Sequence, residues 1–154
     1  MKRRGAFTLI EMIAVLVIIG IVIAIGIPAM SGLTRSAGVQ GGVRQFSNTA
    51  ELARQFAITH RIQTEVRTTT NAVGVFINGT QVGKWDNLPG GVIIIPVAPA
   101  PLNFFFKPTG GLVSAVDLTF VVREGVTNGT SLVGLNSNVS TIVISSILGR
   151  VAIQ

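Results

Sequence analysis

From Met12 to Met30 the chain runs nineteen residues without a charged side chain. As an α-helix this stretch reaches roughly 28 Å, about the thickness of a bilayer's hydrocarbon core. It is long enough to span. Lys2, Arg3 and Arg4 stand ahead of it, and basic residues stay on the cytoplasmic side, so Met1 is expected in the cytoplasm and the bulk of the chain across the membrane.

Glu11 does not suit a plain anchor. It sits at the edge of the apolar run with no basic residue in the turn after it. A charge there costs on the order of 2 kcal/mol or more unless it is paired or near the interface. If the leader is cut just upstream, the new α-amino group lies within about a helical turn of Glu11, or on a neighbouring subunit, and supplies that partner.

Phe7-Thr8-Leu9-Ile10-Glu11, with basic and small residues before it and an apolar helix after it, resembles the type III signal of type IV pilins and type II secretion pseudopilins. The resemblance implies that a membrane peptidase cuts before Phe7 and methylates its amine. It further implies that the helix anchors the subunit in the inner membrane and later packs in a filament. Pro28 also fits that family and is expected to bend or locally melt the helix, since it lacks an N–H. The family usually has Gly before the cut, whereas here the order is Gly5-Ala6-Phe7. A cut after Ala6 keeps the family's spacing between Glu11 and the new amine, and a cut after Gly5 shifts it by one. An ordinary signal peptide would place its small-residue site after the apolar core and would leave Glu11 unexplained.

The formal charge of +6 rests partly on the leader; without Lys2, Arg3 and Arg4 nine basic residues face six acidic ones, or +3. This is a weak indication of nucleic-acid binding. With no cysteine in the chain, disulfides, thiolate nucleophiles and cysteine metal sites are excluded, and a domain outside the cytoplasm must fold on its core alone.

Four glycines in Ser31 to Gly42, SGLTRSAGVQGG, make a poor helix on propensity. Helix is expected to about Ala37, with Gly41-Gly42 the favoured hinge or break. A second helix then follows from the spacing of Val43, Phe46, Ala50, Ala53 and Ala57, an apolar seam suited to lie on a sheet. Leu52, Phe56 and Ile58 are expected to widen that contact. His60, the only histidine, falls near the helix end, where an imidazole caps carbonyls or faces water.

Beyond His60 the period becomes two. Ile62, Thr64, Val66 and Thr68 predict a half-buried strand. Val73 to Ile77 and Thr80 to Trp85, joined by Asn78-Gly79, predict a hairpin with a type I′ turn. Further strands are expected over 91–97, 103–107, 117–123, 140–146 and 150–153, with a connector from Pro96 to Pro101 and a turn over Pro108 to Gly111. The fold class is therefore α+β: a long N-terminal membrane helix, a second helix, and a β-rich antiparallel two-sheet, sandwich-like domain. The expected organisation is a cleaved leader over 1–6, a transmembrane and filament-core helix over 7–30, a Gly-rich continuation or hinge over 31–42, and a periplasmic domain over 43–154.

Leu52-Ala-Arg54 to His60-Arg-Ile62, Phe105-Phe-Lys-Pro-Thr-Gly110, Ile142 to Ser145 and Gly149-Arg150-Val151 resemble passages of the GspH/FimT pseudopilins. The resemblance implies a minor, non-enzymatic subunit of a type II secretion pseudopilus or type IV pilus. Its implied partners are other pilins or pseudopilins, the prepilin peptidase and methylase, and the inner-membrane assembly platform. Glu11, paired with the methylated amine of Phe7, would set subunit register.

The alternative is a DNA-binding minor pilin acting in DNA uptake, with Lys107, Arg123 and Arg150 as phosphate contacts. An anchored enzyme is the third class. Asp86, Asp117 and Glu124 lack metal-ligand or acid–base spacing and no phosphate loop is present, so neither catalytic residues nor a metal or other cofactor is expected. The Asn-Gly-Thr sequons at Asn78 and Asn128 read as turns.

Overall fold

The computed structural model describes residues 8–128 and 131–154, and the side chains of 25–35, 126–128 and 131–137 lie outside that description. One helix, α1 (Leu9–His60), is followed by eight strands: β1 (Thr64–Thr68), β2 (Ala72–Ile77), β3 (Thr80–Asn87), β4 (Val92–Val97), β5 (Asn103–Phe106), β6 (Leu118–Asn128), β7 (Ser131–Ile144) and β8 (Val151–Ile153). The chain divides into two compact units, Met1–Thr34 and Arg35–Gln154. The fold is α+β, as expected.

The first unit is helical from Leu9. Thr8 caps it: the Glu11 N–H lies 3.3 Å from Thr8 Oγ1 and 3.1 Å from Thr8 O. Thr-x-x-Glu is the capping-box spacing, so residues of the expected processing signal also start the helix. The helix continues through Pro28, whose side chain is outside the described residues.

In the second unit, residues 35–60 of α1 are helical, Gly38, Gly41 and Gly42 included. The expected break at Gly41-Gly42 is therefore absent, and the reason is packing. A Cβ at Gly42 would lie 2.8 Å from Val92 Cγ1, one at Gly41 3.4 Å from Pro89 Cγ, and one at Gly38 3.6 Å from Val92 Cγ2. The glycines bring the helix close to β4 and the turn before it. That close packing offsets a propensity cost of about 1 kcal/mol per glycine.

The seam from Val43 to Ala57 is buried as its spacing predicts, and Val39 extends it by one turn. Leu52 and Ile58 do not widen it; both lie exposed on the flanks, because a seam advancing by three and four residues turns one narrow stripe to the core. Phe46 is the meeting point of three layers. Its ring centroid is 6.3 Å from Phe104 on β5 and 5.0 Å from Phe120 on β6, and Phe104 and Phe120 are 5.4 Å apart.

Two four-stranded antiparallel sheets build the rest, ordered β3-β2-β1-β5 and β4-β6-β7-β8. The hairpin turn is formed by Asn78 (φ 49°) and Gly79 (φ 80°), as a type I′ turn requires. Pro96, expected both within the strand over 91–97 and at the start of the connector, lies inside β4; that strand is a sheet edge, where a missing N–H is tolerated.

The β6–β7 ladder is longer than the strands expected over 117–123 and 140–146. It includes a bulge between Arg123↔Val139 and Gly125↔Gly134. Gly, Asn and Ser make up half of this added length and weaken its strand signal, so the pairing itself supplies the order. Asn128 pairs with Ser131, and Gly129 and Thr130, where a turn is expected from the sequon at Asn128, lie outside the described residues.

Candidate functional site

The expected leader and the expected cleavage positions Gly5, Ala6 and Phe7, with Phe7 the expected methylation site, lie outside the described residues. The helix beyond them is described. Over 9–24 every side chain of α1 is exposed, apolar ones included, with Leu9 at 78%, Leu16 at 68% and Val22 at 64%. An apolar exposed helix surface of this kind is one that lipid or other apolar helices can cover. Among the described residues no helix is long and apolar enough to cross a membrane, so the span expected over Met12 to Met30 rests on sequence alone. Glu11 stands at the third helical position, on this exposed segment.

Thr-x-x-Glu thus places the Glu11 N–H on Thr8 at the helix start, with Glu11 itself exposed. The spacing is plain in the sequence, but the capping role becomes evident only with the helix start in place.

The second constellation lies where two turns meet. Gly110 closes the turn after β5, with its N–H donating to Lys107 O (2.8 Å). The turn between β7 and β8 brings Gly149 against it so closely that a Cβ at Gly149 would overlap the Gly110 carbonyl oxygen. Arg54 locks the pair from α1, its Nε donating to Gly110 O (3.2 Å) and Leu148 O (3.0 Å) while Nη1 reaches Glu51 Oε1 (2.9 Å). One guanidinium therefore ties the helix to a turn from each sheet. The Phe105-to-Gly110 and Gly149-Arg150 passages are these two turns. Their contact, and the place of Arg54 between them, was not legible from sequence.

Lys107 and Arg150 flank this junction and are exposed. Arg123 is not with them. It pairs with Val139, five residues along β7 from Ile144, roughly 17 Å away, and its Nε is buried without a hydrogen-bond partner.

The acidic candidates serve local bonds. Asp86 Oδ2 lies 2.7 Å from the Thr49 hydroxyl, joining β3 to α1. Asp117 Oδ1 accepts the Ser146 N–H at 2.7 Å, and this backbone bond holds its carboxyl below the ordinary carboxylate range. Glu124 stands opposite Val92 in the sheet. His60 is exposed and stacks on Phe56, centroids 5.5 Å apart. Among the described residues no group of three or more His, Asp or Glu side chains is placed to hold a metal.

Residues 1–27 match the prokaryotic N-terminal methylation motif. The fold is similar to the type IV minor pilin FimU of Pseudomonas aeruginosa, at 16% identity over 79% of this chain and 92% of that one, with a TM-score of 0.60. A second crystal form of FimU gives a TM-score of 0.56 at 16% identity over 75% and 91%. The fold is type IV pilin-like. The minor pseudopilin EpsH of the Vibrio cholerae type 2 secretion system is also similar, at 13% identity over 73% of this chain and 92% of that one, with a TM-score of 0.51. No curated protein matches the pilin-like chain in sequence.

Proposed function

We propose that this pilin-like chain is a minor pilin or minor pseudopilin of the GspH/FimT branch, a non-enzymatic subunit of a type IV pilus or type II secretion pseudopilus. The observation that carries the reading is the methylation motif over residues 1–27, set on a helix start that leaves Glu11 and the apolar side chains of 9–24 exposed.

The peptidase cuts after Ala6 and methylates Phe7. The helix from Phe7 to Met30 holds the subunit in the inner membrane, N-terminus cytoplasmic, with the domain in the periplasm. On assembly the apolar helices of other pilins replace lipid around it. Exchanging lipid for apolar side chains has little hydrophobic driving force, so close packing and polar contacts decide the register. Glu11 supplies the polar contact, pairing with the methylated amine of Phe7. A misplaced subunit would leave a charge unpaired, at about 3–5 kcal/mol. Pro28 bends the helix. The assembly platform and the peptidase are the remaining partners.

Mass spectrometry of the N-terminal peptide, from membranes of cells that contain a prepilin peptidase, tests this directly. A chain beginning at methylated Phe7 is the expected result. An intact Met1 leader, or a cut beyond Met30, would make the protein a plain anchored or secreted β-domain.

A further inference from the structure

Three of the four sheet edges are closed to further pairing. On β4 the edge carries Pro96, which has no N–H to offer. On β3 the pairing register shifts at a bulge and Gly83 takes φ 79°. Along β5 the outer side is occupied: Val113 N–H donates to Phe105 O, Lys107 N–H to Gly111 O, and Phe106 bridges to Leu112. Natural sheets blunt their edges in these ways.

β8 has none of these devices. Val151-Ala152-Ile153 contains neither proline nor charge. Thr141 and Gln154 exchange both backbone bonds, at 3.1 and 2.8 Å, and Ser145 N–H donates to Arg150 O. By the antiparallel alternation, Arg150, Ala152 and Gln154 turn their main-chain groups toward β7, whereas Val151 and Ile153 turn theirs outward.

The side chains match that opening. Ile153 stands directly opposite Ile142 and so shares its face of the sheet. Ile142 is fully buried, yet Ile153 is 56% exposed. The core layer stops short at this edge. Beside Ile153 a groove of about 380 Å³ runs between the sheet and α1, lined by Gln40, Val43, Arg44, Ser140, Ile153 and Gln154. Arg44 is exposed at its rim.

We infer that the outer edge of β8 takes an extended segment of a partner protein as an additional strand of the second sheet. That strand bonds to the outward N–H and C=O groups of Val151 and Ile153 and lays alternate apolar side chains over Ile153 and into the groove. An acidic side chain on it faces Arg44. Main-chain pairing gives the affinity, and the groove and Arg44 give the selection. The inference is separate from assembly through α1 and stands whether or not Phe7 is processed.

The test uses the full chain in detergent micelles and a fluorescent nine-residue peptide alternating valine and threonine, with one threonine replaced by glutamate. Saturable binding is expected, with the Ile153 amide, fast to exchange in the free protein, becoming protected. Ile153→Pro removes the outward N–H together with the half-exposed side chain, leaves the bonds to β7 in place, and is expected to lower the melting temperature little while weakening binding by about tenfold or more; Ile153→Val, which keeps the N–H, is expected to bind nearly as the wild type. Arg44→Glu, at an exposed position, is expected to weaken the glutamate peptide and to favour one carrying lysine instead. Absence of saturable binding, or equal binding by wild type, Ile153→Pro and Arg44→Glu, overturns the inference. Self-association of the wild type through Ile153, lost in Ile153→Pro, would also overturn it by giving this edge to a second copy of the chain.

Discussion

Gly149 and Gly110 meet backbone to backbone: a side-chain carbon on Gly149 would overlap the Gly110 carbonyl oxygen. The contact joins the turn after β5 to the turn before β8, and so ties one sheet to the other.

Gly149→Ala is therefore expected to destabilise the second unit by about 2–4 kcal/mol, since the left-handed backbone (φ 63°) disfavours a Cβ and the carbonyl has to move. Denaturant unfolding followed by tryptophan fluorescence from Trp85 measures it. A loss below about 0.5 kcal/mol, the size of an ordinary surface change, would show that the turns part readily.

Arg54→Met, which keeps the aliphatic bulk, is expected to cost about 1–2 kcal/mol, a figure reduced for the partial exposure of the guanidinium. Arg54→Lys should restore little, because one ammonium does not reproduce the Nε position that reaches both Gly110 O and Leu148 O. Full recovery by lysine would mean that charge alone matters there.

α1 ends in a Schellman-type arrangement, with Ile62 N–H donating to Ala57 O at 3.2 Å and Arg61 in the left-handed region at φ 53°. Glycine adopts that conformation without the Cβ penalty. Arg61→Gly is expected to stabilise the protein by about 1 kcal/mol, read as a higher melting temperature.

Asp117 contributes a pH dependence of definite sign. Its folded carboxyl is held low chiefly by the Ser146 N–H, so the folded state binds this proton less readily than the unfolded one. The contribution is complete above the unfolded carboxylate value, about 3.9, and is lost as pH falls through the lower folded value. Asp117→Asn should flatten the acid side of the melting-temperature profile. An unchanged slope would assign the acid sensitivity to other carboxylates.

Glu11→Ala and Glu11→Leu are expected to leave membrane insertion intact and to reduce incorporation into filaments. Fractionation of membranes and of sheared filaments separates the two steps, and normal incorporation of either variant would remove the role proposed for the carboxylate.

Features written within a turn or two of chain were legible before the fold was known. The seam from Val43 to Ala57 and the Asn78-Gly79 hairpin each depend on a residue's own backbone preference or on neighbours three and four away. Local chemistry fixes them, and the structure repeats them.

Other features needed partners far along the chain. Gly41-Gly42 reads as a break until Val92 and Pro89 are set against it. Arg54 looks like a flank charge until Gly110 and Leu148 arrive beneath it. Asn128 and Ser131 carry no strand preference, yet pairing extends β6 and β7 to them. The chain's own order thus settles where helix begins, which stripe it buries and where the hairpin turns, because those energies are local. Three-dimensional packing settles the close helix-to-sheet approach, the junction of the two turns and the open edge at β8, because each arises between residues that no short stretch of sequence contains.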